Sequence, residues 1–430
     1  MRVGCPLFRV LIGGGIVGTV VWAQNPAAMS LAQAQQIALR NHPRIASAAL
    51  SAEATGLVVK EIRSARYPTL SGNVTGVGSE HNSTVSSGAV TTSSIYSRAA
   101  SGVLVNQLLS DFGRTASLEQ SARLRSASQN QNVNNTRAQV LIDVRQAYYQ
   151  ALGSESVLKV ALATLDLRRV TLRQVNALAQ SALRSTLDVS FAQVNVSQAE
   201  LDLFHAENDA KASHARLSAA IGYDRDQQFS LTDEPLPAPL DPDADALVAQ
   251  ALRERPDLAA LQLNRDALDR YAEAEKRLRN PTLSAAAVAG VAPVRDDRLR
   301  ETYSAAGVNL NIPVLNGGLF KARREEAEAR AGAASKDVQE LSLRIARDVQ
   351  VAWLDANDAF KRLDVTARMV AEANEALRLA QARYDNGLGS IVELNQAQLN
   401  QTSAEIAAAT AKYEYLSRRA ALDFAMGILR

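Results

Sequence analysis

From about residue 40 to its end the chain is one unit written twice. Pro43 and Pro256 stand 213 positions apart, and the same offset carries Pro68-Thr69-Leu70-Ser71 onto Pro281-Thr282-Leu283-Ser284. Further along the offset drops to 205 and holds: Asp143-Val144 falls on Asp348-Val349, Ala192-Gln193 on Ala397-Gln398, Glu200 on Glu405, and Ala220-x-Gly222 on Ala425-x-Gly427. Copies of about two hundred residues are far too long for a solenoid period, so each copy is a half-molecule. The expected division is repeat 1 over 24–223, a linker at 224–245 carrying several prolines, and repeat 2 over 246–430.

Four kinds of segment recur in the same order. Residues 31–66 have a helical pattern, broken at Asn41-His42-Pro43, where proline removes a donor and suits a new helix start. From Pro68 the period changes to alternation, giving a strand pair over about 68–110 around a Ser/Thr-rich loop from Glu80 to Ser97. Repeat 2 carries its strand pair over about 281–314, with a shorter charged loop from Pro293 to Glu301. Then come long segments without proline, about 113–180 and 318–385; a helix of some 65 residues would be roughly 100 Å long.

Along the first of these, Leu141, Val144, Tyr148, Ala151, Leu158, Leu162, Leu165 and Leu172 step by three and four. The offset of 205 reproduces that register with Ala346, Val349, Trp353, Ala356, Leu363, Ala367, Val370 and Leu377, while the skipped slots hold Glu155, Arg169, Phe360 and Asn374. A seam kept in phase, with many small residues, indicates coiled-coil packing. Short breaks at 181–185 and 386–389 precede return helices over about 186–221 and 390–428; Asn386-Gly387 supplies the positive-φ residues such a reversal needs.

The first 23 residues have the layout of a secretory signal, with Arg2 and Arg9 ahead of an apolar run from Val10 to Trp22 and a small-residue exit at Ala23. The only cysteine, Cys5, precedes that run, so the expectation is a chain that is not lipid-anchored and has no disulfide once the leader is removed. Lys plus Arg number 47 against 45 acids, a balance that gives no reason to expect nucleic acid. No other stretch reaches the roughly 20 apolar residues of a spanning helix, so a membrane crossing would have to be by strands.

Four strands of about ten residues can each cross a bilayer at a tilt, but four cannot close a barrel, and an open edge in lipid leaves costly unpaired backbone groups. The strands must therefore be pooled between chains; three chains would supply twelve and leave a water-filled lumen, with the long helices extending the tube. The fold class expected is mainly α with a membrane β-barrel portion. A periplasmic coiled-coil structural or adaptor protein that never enters lipid is the alternative.

At this point the residues resemble the TolC-like outer-membrane efflux family. The resemblance rests on Asn-x-Pro at Asn41 to Pro43, Tyr-Pro-Thr-Leu-Ser from Tyr67, Leu-x-Asp-Phe-Gly-Arg from Leu109 to Arg114, and Tyr-Asp-Asn-Gly-Leu-Gly-Ser-Ile-Val-Glu-Leu from Tyr384 to Leu394. It implies a homotrimer with a twelve-stranded barrel in the outer membrane above a helical periplasmic tunnel. Such a duct has no catalytic activity or cofactor and works with a periplasmic adaptor and an inner-membrane pump of the RND or ABC type, in drug efflux or type I protein secretion.

Carried over by position, Leu183, Arg184, Ser185, Leu388, Gly389 and Ser390 match the tips that dock adaptor hairpins. Glu393 matches an acidic ring at the periplasmic gate, and Asp188 and Tyr384 match partners in its closed-state contacts. The family's gate arginine falls on Gly389 and its second acidic position on Gln396, while Arg184 occupies the equivalent slot of repeat 1. Tyr67, Tyr96, Phe112, Tyr303 and Phe320, near strand ends, are candidates for an interfacial aromatic girdle.

An enzyme is not expected. Of the four histidines, His42, His81, His205 and His214, the last two are nine apart on one helix, beyond the step of three or four that aligns ligands. No Gly-rich phosphate loop is present, and the carboxylates stand beside basic residues on helix faces, as in Arg323-Arg324-Glu325-Glu326.

Overall fold

The computed structural model describes residues 28–429 apart from 79, 81–83, 88–89, 95–96, 226, 228, 241–242 and 296–299. The leader at 1–23 with its Cys5, the girdle candidate Tyr96, His81 and the core of the charged loop lie outside the described residues.

Repeat 1 begins with a two-residue strand β1 (Ala28–Met29) and helices α1 (Leu31–Asn41) and α2 (Pro43–Ser64). Ser30 and Gln33 form a capping box at the start of α1, and Pro43 opens α2 where a missing N–H costs nothing. Strands β2 (Thr69–Val77), β3 (Thr84–Ser87), β4 (Val90–Ser94) and β5 (Arg98–Ser110) follow, then helices α3 (Arg114–Gln180) and α4 (Thr186–Ile221). Strand β6 (Ser230–Leu231) lies between the repeats and pairs in parallel with β1. Repeat 2 runs α5 (Ala244–Glu254), α6 (Pro256–Lys276), β7 (Thr282–Val294), β8 (Thr302–Asn311), α7 (Leu319–Asp385) and α8 (Ile391–Ala425).

One expectation is corrected here. The Ser/Thr-rich stretch between β2 and β5 is not only loop, because β3 and β4 pair within it as a small antiparallel hairpin with an irregular register between Val85 and Ser87. Its polar sequence lacks the apolar alternation that marks a strand, but Val and Thr are good strand formers.

The main sheet has the order β2-β5-β7-β8, antiparallel throughout, so β2 and β8 are its two edges. Its pleat separates two faces. Leu70, Val74, Val103, Val105, Leu283, Val291, Val308 and Leu310 share one, with Ser101, Thr302 and Ser304 among them; Thr69, Ser71, Asn73, Asn106, Ser284, Asn309 and Asn311 share the other, with Leu104 and Val288, so one face is the more apolar and the other the more polar.

Beyond the sheet, α3 and α7 run for 67 residues each. Nearer the sheet the packing order is α2, α3, α6, α7; at the far end it is α4, α3, α8, α7. A core midway along α3 gathers Val144, Tyr148, Ala151, Leu217, Ile221 and Leu416. There the Tyr148 hydroxyl lies 2.8 Å from the Met29 carbonyl and 2.7 Å from that of Thr232, tying the β1/β6 belt to the long helix. No helix among the described residues is long and apolar enough to cross a membrane.

Candidate functional site

The end remote from the sheet is formed by two helix reversals. Between α3 and α4 the chain turns through Ala182, whose φ is 55°, and Ser185 caps α4 by accepting from the Leu187 N–H at 3.1 Å. Between α7 and α8 it turns through Gly387, with φ 74°, and the Arg383 carbonyl accepts from Leu388 N at 2.8 Å and Gly389 N at 3.0 Å. Ser390 caps α8 by accepting from Glu393 N at 3.2 Å. Leu183 and Leu388, at the two apices, are 69% and 72% exposed. Gly389 is packed tightly: a Cβ there would stand 3.2 Å from both Arg383 Cβ and Tyr384 N, so a larger side chain needs the turn to shift.

The two reversals are clasped together by Arg184 and Tyr384. The Arg184 guanidinium lies over the Tyr384 ring, 4.2 Å from its centroid, and donates to the Tyr384 carbonyl. Tyr384 is buried with Val175, Ala192, Ile391 and Leu394. Burial raises its phenol pKa, and Asp188 and Asp385 push the same way while Arg184 opposes them. Asp188, half-buried in the first turn of α4, thus enters through its field. Gln174 reaches across to Asp385 at 2.9 Å.

Glu393 stands apart from the clasp. It accepts from Arg383 Nε at 2.9 Å in a pair with both side chains about half exposed, and Arg383 also donates to the Leu388 carbonyl at 3.2 Å. Sequence reasoning missed Arg383, although its position just before the Tyr-Asp-Asn-Gly reversal was available as a signal. It also missed a buried polar group farther up: Arg168 donates to Gln398, whose amide donates to Thr171 at 3.1 Å, between α3 and α8. Arg168 has no carboxylate in contact among the described residues, and burial lowers its pKa.

At the sheet end, Tyr67 precedes β2, Phe112 occupies the β5–α3 turn with φ 51°, and Phe320 lies in the first turn of α7. These three share the end of the sheet nearest the helices. Tyr303 is at the opposite end and on the polar face, because it pairs with Gly290, which pairs with Gly102, which pairs with Asn73. Position near a strand end did not reveal the face; the pleat parity did.

The class these features define is a chain with open sheet staves at one end, long helices between, and paired helix reversals at the other. The chain belongs to the outer membrane efflux protein family, whose profile matches residues 34–223 and 247–428. It is therefore an outer-membrane component of an efflux system. The chain is 24% identical to outer membrane protein TolC of Vibrio cholerae over 431 residues, covering 99% of this chain and 95% of that protein. It is 25% identical to the solvent efflux pump outer membrane protein SrpC of Pseudomonas putida over 392 residues, 87% of this chain and 79% of that one. Among solved structures, CusC superposes with a TM-score of 0.80 at 18% identity, covering 94% of this chain and 93% of that chain.

Proposed function

We propose that three copies of this chain close a twelve-stranded barrel and a helical tunnel, and that the assembly is the passive exit duct of a tripartite export system. The observation that carries this reading is the sheet with its two unpaired edges, β2 and β8. Strand directions alternate across it, so β8 of one copy meets β2 of the next antiparallel and the ladder continues without a mismatch. Closure removes edge groups that would each cost several kcal/mol in lipid. The apolar face then meets lipid and the polar face lines the bore.

In this reading Leu183, Arg184 and Ser185, with Leu388, Gly389 and Ser390, form the surface met by a periplasmic adaptor, the exposed leucines supplying apolar contacts. An inner-membrane pump acts through that adaptor. Relatives named as solvent and toluene efflux pump proteins support small-molecule cargo. Arg184 and Tyr384 hold the two reversals of one subunit together, with Asp188 beside them, and three Glu393 carboxylates give the periplasmic mouth its cation preference. Arg383 offsets part of that charge. The barrel base carries Tyr67, Phe112 and Phe320 at the membrane interface.

The test is the migration of unboiled protein from outer-membrane fractions. A heat-sensitive trimer that conducts in planar bilayers is expected; a water-soluble monomer would overturn the reading in favour of a periplasmic coiled-coil protein. At the mouth, Glu393→Gln should lower the cation-to-anion permeability ratio, and an unchanged ratio removes Glu393 from the gate.

A further inference from the structure

On the polar face of the sheet, three neighbouring strands converge on one aromatic ring. Tyr303 of β8 is paired with Gly290 of β7, and Gly290 with Gly102 of β5. Both glycines lie beneath the Tyr303 side chain: a Cβ on Gly290 would stand 2.5 Å from the ring Cζ, and one on Gly102 would collide with the hydroxyl. That hydroxyl reaches across β7 to within 3.5 Å of the Ser101 carbonyl. The ring is thus laid flat over two strands instead of standing off the wall, and it remains 39% exposed.

Neither glycine has a positive φ, but backbone crowds both: a Cβ on Gly290 would also collide with the Ser101 carbonyl, and one on Gly102 would stand 2.8 Å from the Ala289 carbonyl. Glycine in a strand interior weakens it and marks a close approach, and here both the neighbouring strand's backbone and the Tyr303 ring close in. The other face at the same level carries Ala289, Val291 and Val103 together with the small polar residues Ser101, Thr302 and Ser304.

We infer that Tyr303 is a lumenal residue that sets the bore near the outer mouth, and that Gly102 and Gly290 form the recess holding its ring against the wall. This rests on the shared-barrel reading, in which three such rings ring the axis. Without the recess each phenol would project inward by several ångströms, and a pore's selectivity follows its diameter and lining groups. The exposed ring face also offers planar or cationic solutes a wall contact as they leave.

The experiment uses full-length protein with Cys5 replaced by Ser, reconstituted in planar bilayers. In a Tyr303→Cys variant, a membrane-impermeant anionic thiol reagent should change single-channel conductance. Val308→Cys, on the apolar face, should be silent to the reagent, and a fluorophore placed there should be quenched by brominated lipid. Tyr303→Ala should raise conductance by removing the ring from the bore, and Tyr303→Trp should lower it.

Tyr303→Cys that is inert to the reagent while its attached fluorophore is quenched by lipid overturns the inference, even though the parent conducts. Parent protein that fails to conduct at all defeats the shared barrel instead. If Tyr303→Trp does not assemble, the thiol labelling decides the lumenal assignment; if both Tyr303 variants assemble with unchanged conductance, Tyr303 does not set the bore.

Discussion

The two long helices have equal length and matching register, yet they are buried differently. Helix α3 is flanked on both sides along its length, by α2 and α6 near the sheet and by α4 and α8 beyond. It buries large side chains such as Leu141, Tyr148, Leu152 and Leu165. Helix α7 ends the row, with α6, α5 and α8 on one side only, and its buried set is mostly alanine. Its free side carries Leu343, Val351, Leu354, Val365 and Met369, a stripe at helical spacing. At the opposite edge, α4 exposes Leu187, Phe191, Val194 and Leu201. A duplicated sequence has thus produced one central helix and one border helix, and the border faces are where copies would meet.

The largest effects should separate the two helices most sharply. Val144→Asp places a charge at a fully buried position of α3 and should abolish the helical signal of the isolated subunit in circular dichroism. Val351→Asp with Leu354→Asp, at positions 51% and 57% exposed on α7, should leave that signal intact and eliminate the heat-sensitive trimer. Retention of trimer in the α7 variant would break the comparison.

A smaller effect is expected at Tyr148, whose counterpart in repeat 2 is Trp353. Tyr148→Phe removes the hydroxyl donor shared by the Met29 and Thr232 carbonyls, of which Met29 still accepts from Thr232 N at 3.1 Å, and should destabilise by about 1–3 kcal/mol in urea unfolding. The smallest effect is on pH dependence. Burial pushes the Tyr148 phenol up to about 12 from 10.0. The folded state therefore favours the neutral phenol, so this contribution is complete below pH 10 and is lost as pH rises toward 12. Tyr148→Phe should flatten the stability profile over that window; an unaltered slope would assign it to other groups.

The architecture was legible because its strongest signals are local and repeated. The proline-free segments run as α3 and α7, and the alternation after Pro68 and Pro281 runs as β2 and β7. Within the seam, Leu141, Val144, Tyr148 and Ala151 are buried as the period requires, whereas Leu162 is exposed. Spacing shows that a face is apolar but not which neighbour covers it, and α3 exchanges α2 and α6 for α4 and α8 along its length. The two-residue pair β1/β6 is too short to leave a period. Arg168 and Gln398 escaped because a reading built on apolar positions assigns polar ones to solvent, and here both are buried between α3 and α8. At the tips, the clasp of Arg184 on Tyr384 joins residues 200 apart, and only the folded chain brings them together.

The two strand-to-helix joints differ in a way that bears on assembly. At the first, buried Asp111 accepts from Gly113 N at 3.1 Å and Thr115 N at 2.6 Å, while Arg277 donates to the Gly113 carbonyl at 2.9 Å. At the second, Val314 and Leu315 are 92% and 91% exposed, and Gly317 and Gly318 have nothing packed over them. Within one copy the first joint is therefore braced by its own side chains, and the second is left open on the border formed by β8 and α7. In a closed ring, contacts over 312–318 would have to come from the neighbouring copy, whereas the joint at 111–115 is braced before any assembly.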